Sequence, residues 1–245
     1  MKTSTVRFLL LAGLVTGWRA VSAAPVAASA AGHWEGTIKM EKGDLGLAID
    51  LAQGPTGAWM GSLSFPGTTT LDAPIGDIAV SEKSVRFTAR VPRLATFDGR
   101  LSTDARSLAG VAANADGETV FQLTRTAEAR VKLPPRSSPL PKAFAGVWQG
   151  TAESDGKTKH IGLKLSAAVD GIALATLIAI DHGNLEIPIS TVTIEGSQIR
   201  FESRAISGSF VGTLGANGEI TGEWSEPAKR LPLTFKPAPA DVAKL

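Results

Sequence analysis

The chain has 245 residues, no cysteine, and 25 Lys and Arg against 23 Asp and Glu. The lack of cysteine excludes disulfides, thiolate-held zinc or iron–sulfur centres and a cysteine nucleophile. Three of the cations, Lys2, Arg7 and Arg19, precede residue 25 in a stretch without acids, which leaves 22 against 23 beyond it. A near-neutral chain has no electrostatic footprint for nucleic acid.

Lys2 and Arg7 precede or flank the apolar run Phe8 to Val15, and Val21-Ser22-Ala23 supplies small residues after it. That order predicts a removed secretory signal over residues 1–24, and with it a periplasmic or secreted protein. A lipid anchor on cysteine is excluded. No later stretch holds the ~20 apolar residues of a membrane-spanning helix.

The rest of the chain is a duplication. Gly32-His33-Trp34-Glu35-Gly36-Thr37 recurs as Gly146-Val147-Trp148-Gln149-Gly150-Thr151, 114 residues on. The offset holds without a gap through Leu63 and Leu177, Pro74-Ile75 and Pro188-Ile189, Arg86-Phe87 and Arg200-Phe201, and Arg90 and Arg204. After small deletions Phe97 meets Phe210, Gly99 meets Gly212, Gly110 meets Gly222, and Leu123-Thr124 meets Leu233-Thr234. The reading is two modules, 32–126 and 146–236. Between them lies a Pro-rich linker, 127–145, whose Pro134, Pro135, Pro139 and Pro141 favour an extended spacer.

Within a module the apolar period is two. Ile161, Leu163 and Leu165 alternate with Gly162 and Lys164, and Asp155-Gly156, Asp170-Gly171 and Asn217-Gly218 mark tight turns. In the second module about eight strands are predicted, starting near Val147, Lys159, Ile172, Glu186, Gln198, Ser209, Glu219 and Leu231. The fold class is therefore all-β: two tandem small antiparallel β-barrels of up-and-down topology, because closure removes exposed edges. A β-sandwich is the alternative.

Gly32-x-Trp34 and Gly146-x-Trp148 open their modules as the first strand does in calycins, the lipocalin and avidin group. A late basic residue packs on that tryptophan in many calycins, a part the resemblance gives to Arg125, whereas the second module has Phe235-Lys236 there. The whole module also resembles the β-rich domain that precedes prolyl-oligopeptidase-like and other α/β-hydrolase domains in exported bacterial enzymes. The features that carry this are Ile187-Pro188-Ile189, Ser209-Phe210-x-Gly212-x-Leu214, Ile220-x-Gly222-x-Trp224 and Leu231-Pro232-Leu233-Thr234. The resemblance implies a non-catalytic domain, here in two copies without the hydrolase domain.

Catalytic signatures are sparse. No Gly-x-Ser-x-Gly elbow occurs; around Ser209 the position of its first glycine is Ser207. His33, His160 and His182 have no histidine counterparts in the other module. Asp181-His182 with Glu186 could form a sparse metal or acid–base cluster, but three groups in a turn rarely complete a site, and the preferred reading is a polar loop. Trp34 and Trp148, flanked by Gly32 and Gly36 and by Gly146 and Gly150, read as core residues that fix the barrel end. Trp59 and Trp224 are not equivalent and are candidates to line a cavity mouth. Arg86 with Arg90, and Arg200 with Arg204, share one strand face opposite Phe87 and Phe201. They are candidates to hold a carboxylate if that face points inward, and a solvated row if the Phe does.

These features point to an exported, non-enzymatic binding or accessory protein whose partner is an envelope protein or a small hydrophobic ligand. A lipocalin-like carrier of a hydrophobic or carboxylate ligand is the alternative and needs a cavity, which for a drug-sized ligand is ~300 Å³ or more. A hydrolase-associated protein with an unrecognised catalytic site is the second alternative. None of these readings calls for a cofactor or a metal.

Overall fold

The computed structural model describes residues 30–91, 93–154 and 156–238. The secretory signal expected over residues 1–24 lies outside them, as does Asp155 of one expected turn. Alternation of apolar and polar residues sets the architecture from the first strand. The first module contains β1 (Gly32–Met40), β2 (Gly43–Gln53), β3 (Trp59–Ser64), β4 (Ala73–Val80), β5 (Ser84–Arg90), β6 (Leu94–Leu101), β7 (Ser107–Asn114) and β8 (Gly117–Ala127). Each pairs antiparallel with the next, and β8 pairs back onto β1, so the sheet closes into an up-and-down barrel. One continuous closed ladder rules out the sandwich alternative.

The second module repeats the plan with β9 (Gly146–Ser154), β10 (Lys157–Ala167), β11 (Ala173–Ala179), β12 (Leu185–Pro188), β13 (Thr191–Glu195), β14 (Gln198–Ser203), β15 (Gly208–Leu214), β16 (Ile220–Glu226) and β17 (Lys229–Pro237). The ninth strand arises because the counterpart of β4 is split. β12 pairs with β11, β13 pairs with β14, and the ladder lapses between them at Ile189-Ser190. Proline explains the break: Pro188 has no N–H to offer. The first barrel meets the same difficulty after Pro74 and absorbs it as a register shift between Gly76 and Ala79. Ile189 N–H still donates to Ala175 O at 3.3 Å and Ser190 N–H to Glu202 O at 2.7 Å, so the nine-stranded sheet curls round.

Aromatic side chains stack inside both barrels. Phe87 stacks on Phe97 with centroids 4.7 Å apart, and the equivalent Phe201 stacks on Phe210 at 4.9 Å. The repeated glycines make room for these rings. A Cβ on Gly222 would fall 2.1 Å from Val211 O and 2.8 Å from Phe210 Cζ, and one on Gly99 would fall 3.0 Å from Phe121 Cζ. Trp34 and Trp148 are buried, and each indole N–H donates to the carbonyl four residues earlier, Ala30 O at 3.0 Å and Phe144 O at 2.9 Å. The repeat thus begins two residues before Gly32 and Gly146.

The Pro-rich segment is extended, as expected, but it is not a free spacer. Arg130 N–H donates to the buried Asp50 Oδ1 at 2.7 Å. Ser138 N–H donates to Val192 O at 2.8 Å, and Ser138 O accepts from Ala173 N–H at 2.9 Å. Ser137 and Ser138 hydroxyls cap the N–H groups of Val192 and Ile194. The strap therefore covers the second barrel where β11 begins and β13 lies open. The serines between the prolines supply the donors and acceptors that proline lacks.

Candidate functional site at the mouth of the second barrel

The starts of β10 and β17 and the ends of β9, β11 and β16 meet at one end of the second barrel. A pocket of about 230 Å³ opens there. Its walls are Ile161, Leu177, Ile187, Ile206 and Leu233, with the indole of Trp224 on one side. The mouth carries Lys159, His160, Asp181, His182 and Glu226. Trp224 is seated by Gly208, whose Cβ would fall 2.0 Å from indole Cζ2, and its N–H donates to Glu226 Oε1 at 2.8 Å.

The acids at the mouth are engaged. Asp181 follows β11 in a single 3₁₀ turn, Ile180–His182, that ends at Gly183 in the left-handed region, φ 70°. Its Oδ2 accepts the backbone N–H of His160 at 2.7 Å, and its Oδ1 lies 3.1 Å from His160 Nδ1. The bond from the His160 backbone, followed by that from its ring, lowers the Asp181 pKa from the ordinary carboxylate value. By contrast, the side chains of Lys159 and His182 have no hydrogen-bond or ion-pair partner among the described residues.

Position-by-position comparison of the repeats explains why the pocket belongs to the second barrel. The residues of the first barrel equivalent to Lys159 and Ala179 are Leu45 and Phe65, and both pack, partly buried, against its core. Two changes, an aromatic to alanine and a leucine to lysine, open and charge the same end of the second barrel. Reading each repeat for its shared residues conceals this signal; it lies in the positions where the copies differ.

The other sequence candidates sit elsewhere. Trp59 packs half-buried against the core of the first barrel and does not join Trp224. Phe87 and Phe201 take the interior, so Arg86, Arg90, Arg200 and Arg204 stand on the outer faces, and the inward carboxylate clamp is corrected. Val85 and Ile199, beside each Phe, take the same buried face and leave the guanidinium groups no interior place. Arg200 pairs with Glu202 at 2.8 Å. Asp181 and His182 do share the mouth, but Glu186 is engaged by Arg90 at 2.7 Å, so the three form no cluster. Among the described residues no group of three His, Asp or Glu is placed to hold a metal ion. Arg125 lies opposite Trp34 in the β1–β8 ladder and runs over Gly32, where a Cβ would fall 2.5 Å from its Nε. In the second barrel Pro237 stands opposite Trp148.

His33 is wedged between two carboxylates outside the first barrel. Its Nε2 bonds Glu35 Oε1 at 3.1 Å, and its Nδ1 lies 3.0 Å from Asp50 Oδ1, an ion-pair contact off the hydrogen-bond line. Burial opposes the charged ring, but Glu35 and Asp50 outweigh it, and the His33 pKa is raised from the ordinary value. Asp50 is the residue that also receives Arg130 N–H, so this cluster secures the start of the strap.

Among the described residues no helix is long and apolar enough to cross a membrane. No protein-family model and no curated protein matches the chain. Among solved structures, it is similar to a Bacteroides fragilis protein provisionally called an outer membrane protein, at 12% identity. That match covers 87% of this chain and 99% of the other, with a TM-score of 0.29. A Nostoc punctiforme protein of unknown function from the DUF3598 family matches at 11% identity over 85% of this chain and 96% of its own, with a TM-score of 0.23. Superpositions of this quality carry no functional argument. The barrel architecture stands on the strand ladders themselves, as two tandem all-β barrels, one closed and one curled with a split strand.

Proposed function

We propose that the chain is an exported, non-enzymatic binding protein whose second barrel takes a small apolar ligand with an anionic head group. The observation that carries this is the pocket of about 230 Å³, walled by aliphatic side chains and Trp224. An apolar cavity of ~150 Å³ already takes benzene, whereas drug-sized ligands use ~300 Å³ or more. The pocket therefore suits a single ring or a short alkyl chain. The head group follows from the mouth: its carboxylates are bonded to His160 and Trp224, and the Lys159 ammonium has no hydrogen-bond or ion-pair partner among the described residues, with the His182 ring beside the same opening. A carboxylate ligand would gain a charge-assisted hydrogen bond there. The first barrel, with Phe65 and Leu45 in the equivalent places, serves as a filled scaffold. Export rests on the pattern of residues 1–24.

Trp224 makes the test direct. Decanoate and decanol have the same tail and differ in charge, and each is titrated while tryptophan fluorescence is recorded. The reading expects a saturable change with both and tighter binding of the carboxylate. Equal affinity would remove the anionic head from the proposal, and no saturable change with either would remove the ligand site.

A further inference from the structure

Two of the four repeated arginines that face away from the barrel interiors, Arg90 and Arg204, reach across between the barrels. Arg90 of the first barrel reaches Glu186 of the second, Nη1 to Oε2 at 2.7 Å. Arg204 of the second reaches Asp72 of the first, Nη1 to the carbonyl oxygen at 3.1 Å. Arg90 and Arg204 are equivalent at an offset of 114, and so are Asp72 and Glu186. Each barrel thus offers an arginine to the same position of the other, and that reciprocity defines an isologous contact, in which residue i touches j and j touches i. The equivalent Pro74 and Pro188 both border a gap of about 60 Å³ beside Arg90 and Ala205.

We infer that the two barrels form a pseudo-two-fold pair through this patch, so that the partner the patch recognises is a second copy of the same module, supplied by the chain itself.

The symmetry is carried by the arginines and is relaxed around them for visible reasons. Lys132 of the strap takes the Asp72 carboxylate at 3.2 Å, which leaves Arg204 the carbonyl oxygens of Asp72, Lys132 and Leu133. Thr70 Oγ1 donates to Ala205 O at 2.7 Å and Leu71 N–H to Arg204 O at 3.3 Å. Asn184, the counterpart of Thr70, makes no matching bond across the interface, because in the second module the segment is reshaped by the 3₁₀ turn that builds the pocket mouth. The strap runs along one side only, so it adds contacts to one half of the pair.

The test uses the full chain, whose lack of cysteine allows site-specific labels. Arg86→Cys and Arg200→Cys place one spin label on the outer face of each barrel at equivalent positions, and the label-to-label distance distribution is measured by pulsed electron resonance. The inference expects a single narrow distribution, which Arg90→Ala with Arg204→Ala broadens by about twofold or more, since weakly joined domains move relative to one another by default. Arg90→Glu alone should also broaden it, and adding Glu186→Arg should restore it. A broad distribution in the parent overturns the pairing. A narrow one that survives both the alanine pair and Arg90→Glu overturns the role of the arginines and leaves the strap as the tether.

Discussion

The indole N–H of Trp148 donates to the carbonyl oxygen of Phe144 at 2.9 Å, closing a loop over the first turn of chain that enters the second barrel. Trp34 and Ala30 make the same bond at 3.0 Å in the first barrel, so the motif is a repeated clasp as well as a core contact.

Replacing either tryptophan should therefore cost more than the apolar area alone. Trp148→Ala is expected to destabilise the second barrel by about 3–5 kcal/mol. Trp148→Phe should keep most of the packing and lose the bond, at about 1 kcal/mol. Urea titrations of the full chain measure both. Trp34→Ala should act on the first barrel alone, because separated sites contribute independently. A loss below ~1 kcal/mol for both alanine variants would show that the buried indoles contribute little.

The same clasp moves the useful boundary of the second module. A fragment covering 146–236 lacks Phe144, which is buried, and the Ser137–Leu140 part of the strap that bonds β11 and β13. A fragment covering 130–238 retains them. Thermal melts followed by far-UV circular dichroism should place the longer fragment well above the shorter. Identical melting temperatures would mean that the strap contributes nothing to the fold of this barrel.

What the sequence made legible, and what it hid, follows from this geometry. Strand alternation and the 114-residue offset are properties of local pattern, so the barrels and the buried tryptophans could be read directly, whereas alternation alone left open which face of β5 and β14 turns inward. The split of the fourth strand at Pro188 could not, because Pro74 in the same place is accommodated by a bulge. The strap was concealed by its prolines, which suggest a spacer while Ser137 and Ser138 do the bonding. The candidate pocket was half visible: Trp224 was named, but Ala179 and Lys159 matter only by comparison with Phe65 and Leu45. Four arginines were named for a ligand and two of them, Arg90 and Arg204, are found between the barrels, because the sequence shows which residues share a face and not what that face meets.

The His33 cluster predicts a pH dependence. With its folded pKa above the ordinary value near 6.5, His33 contributes stability fully below that value and loses it as the pH rises through the folded pKa. Glu35, whose pKa is lowered by its bonds to His33 and Thr126, contributes above its ordinary value and loses the contribution as the pH falls through the folded one. The destabilisation caused by His33→Gln should accordingly be larger at pH 6 than at pH 9. A penalty independent of pH across this window would assign His33 a purely steric role.

The non-enzymatic reading is exposed to a simple assay. Lys229 Nζ donates to the buried Ser154 Oγ, a pairing in which lysine could serve a serine nucleophile. Among the described residues no strand-to-helix elbow presents such a serine, and hydrolysis of p-nitrophenyl esters of short acids is expected to stay at the uncatalysed rate. Turnover abolished by Ser154→Ala would replace the binding proposal with a hydrolase.

The most direct measurement of the central claim restores to the second barrel what fills the first. Ala179→Phe places the counterpart of Phe65 in the mouth of the pocket, and Lys159→Leu places that of Leu45. Calorimetric titration with decanoate compares the parent with each variant. The account expects Ala179→Phe to abolish binding with the fold intact, and Lys159→Leu to weaken decanoate by about tenfold, equivalent to ~1.4 kcal/mol, while leaving decanol unchanged. Binding of decanoate by the folded Ala179→Phe variant at the parent's affinity would contradict the claim, because the ligand would then sit elsewhere on the chain.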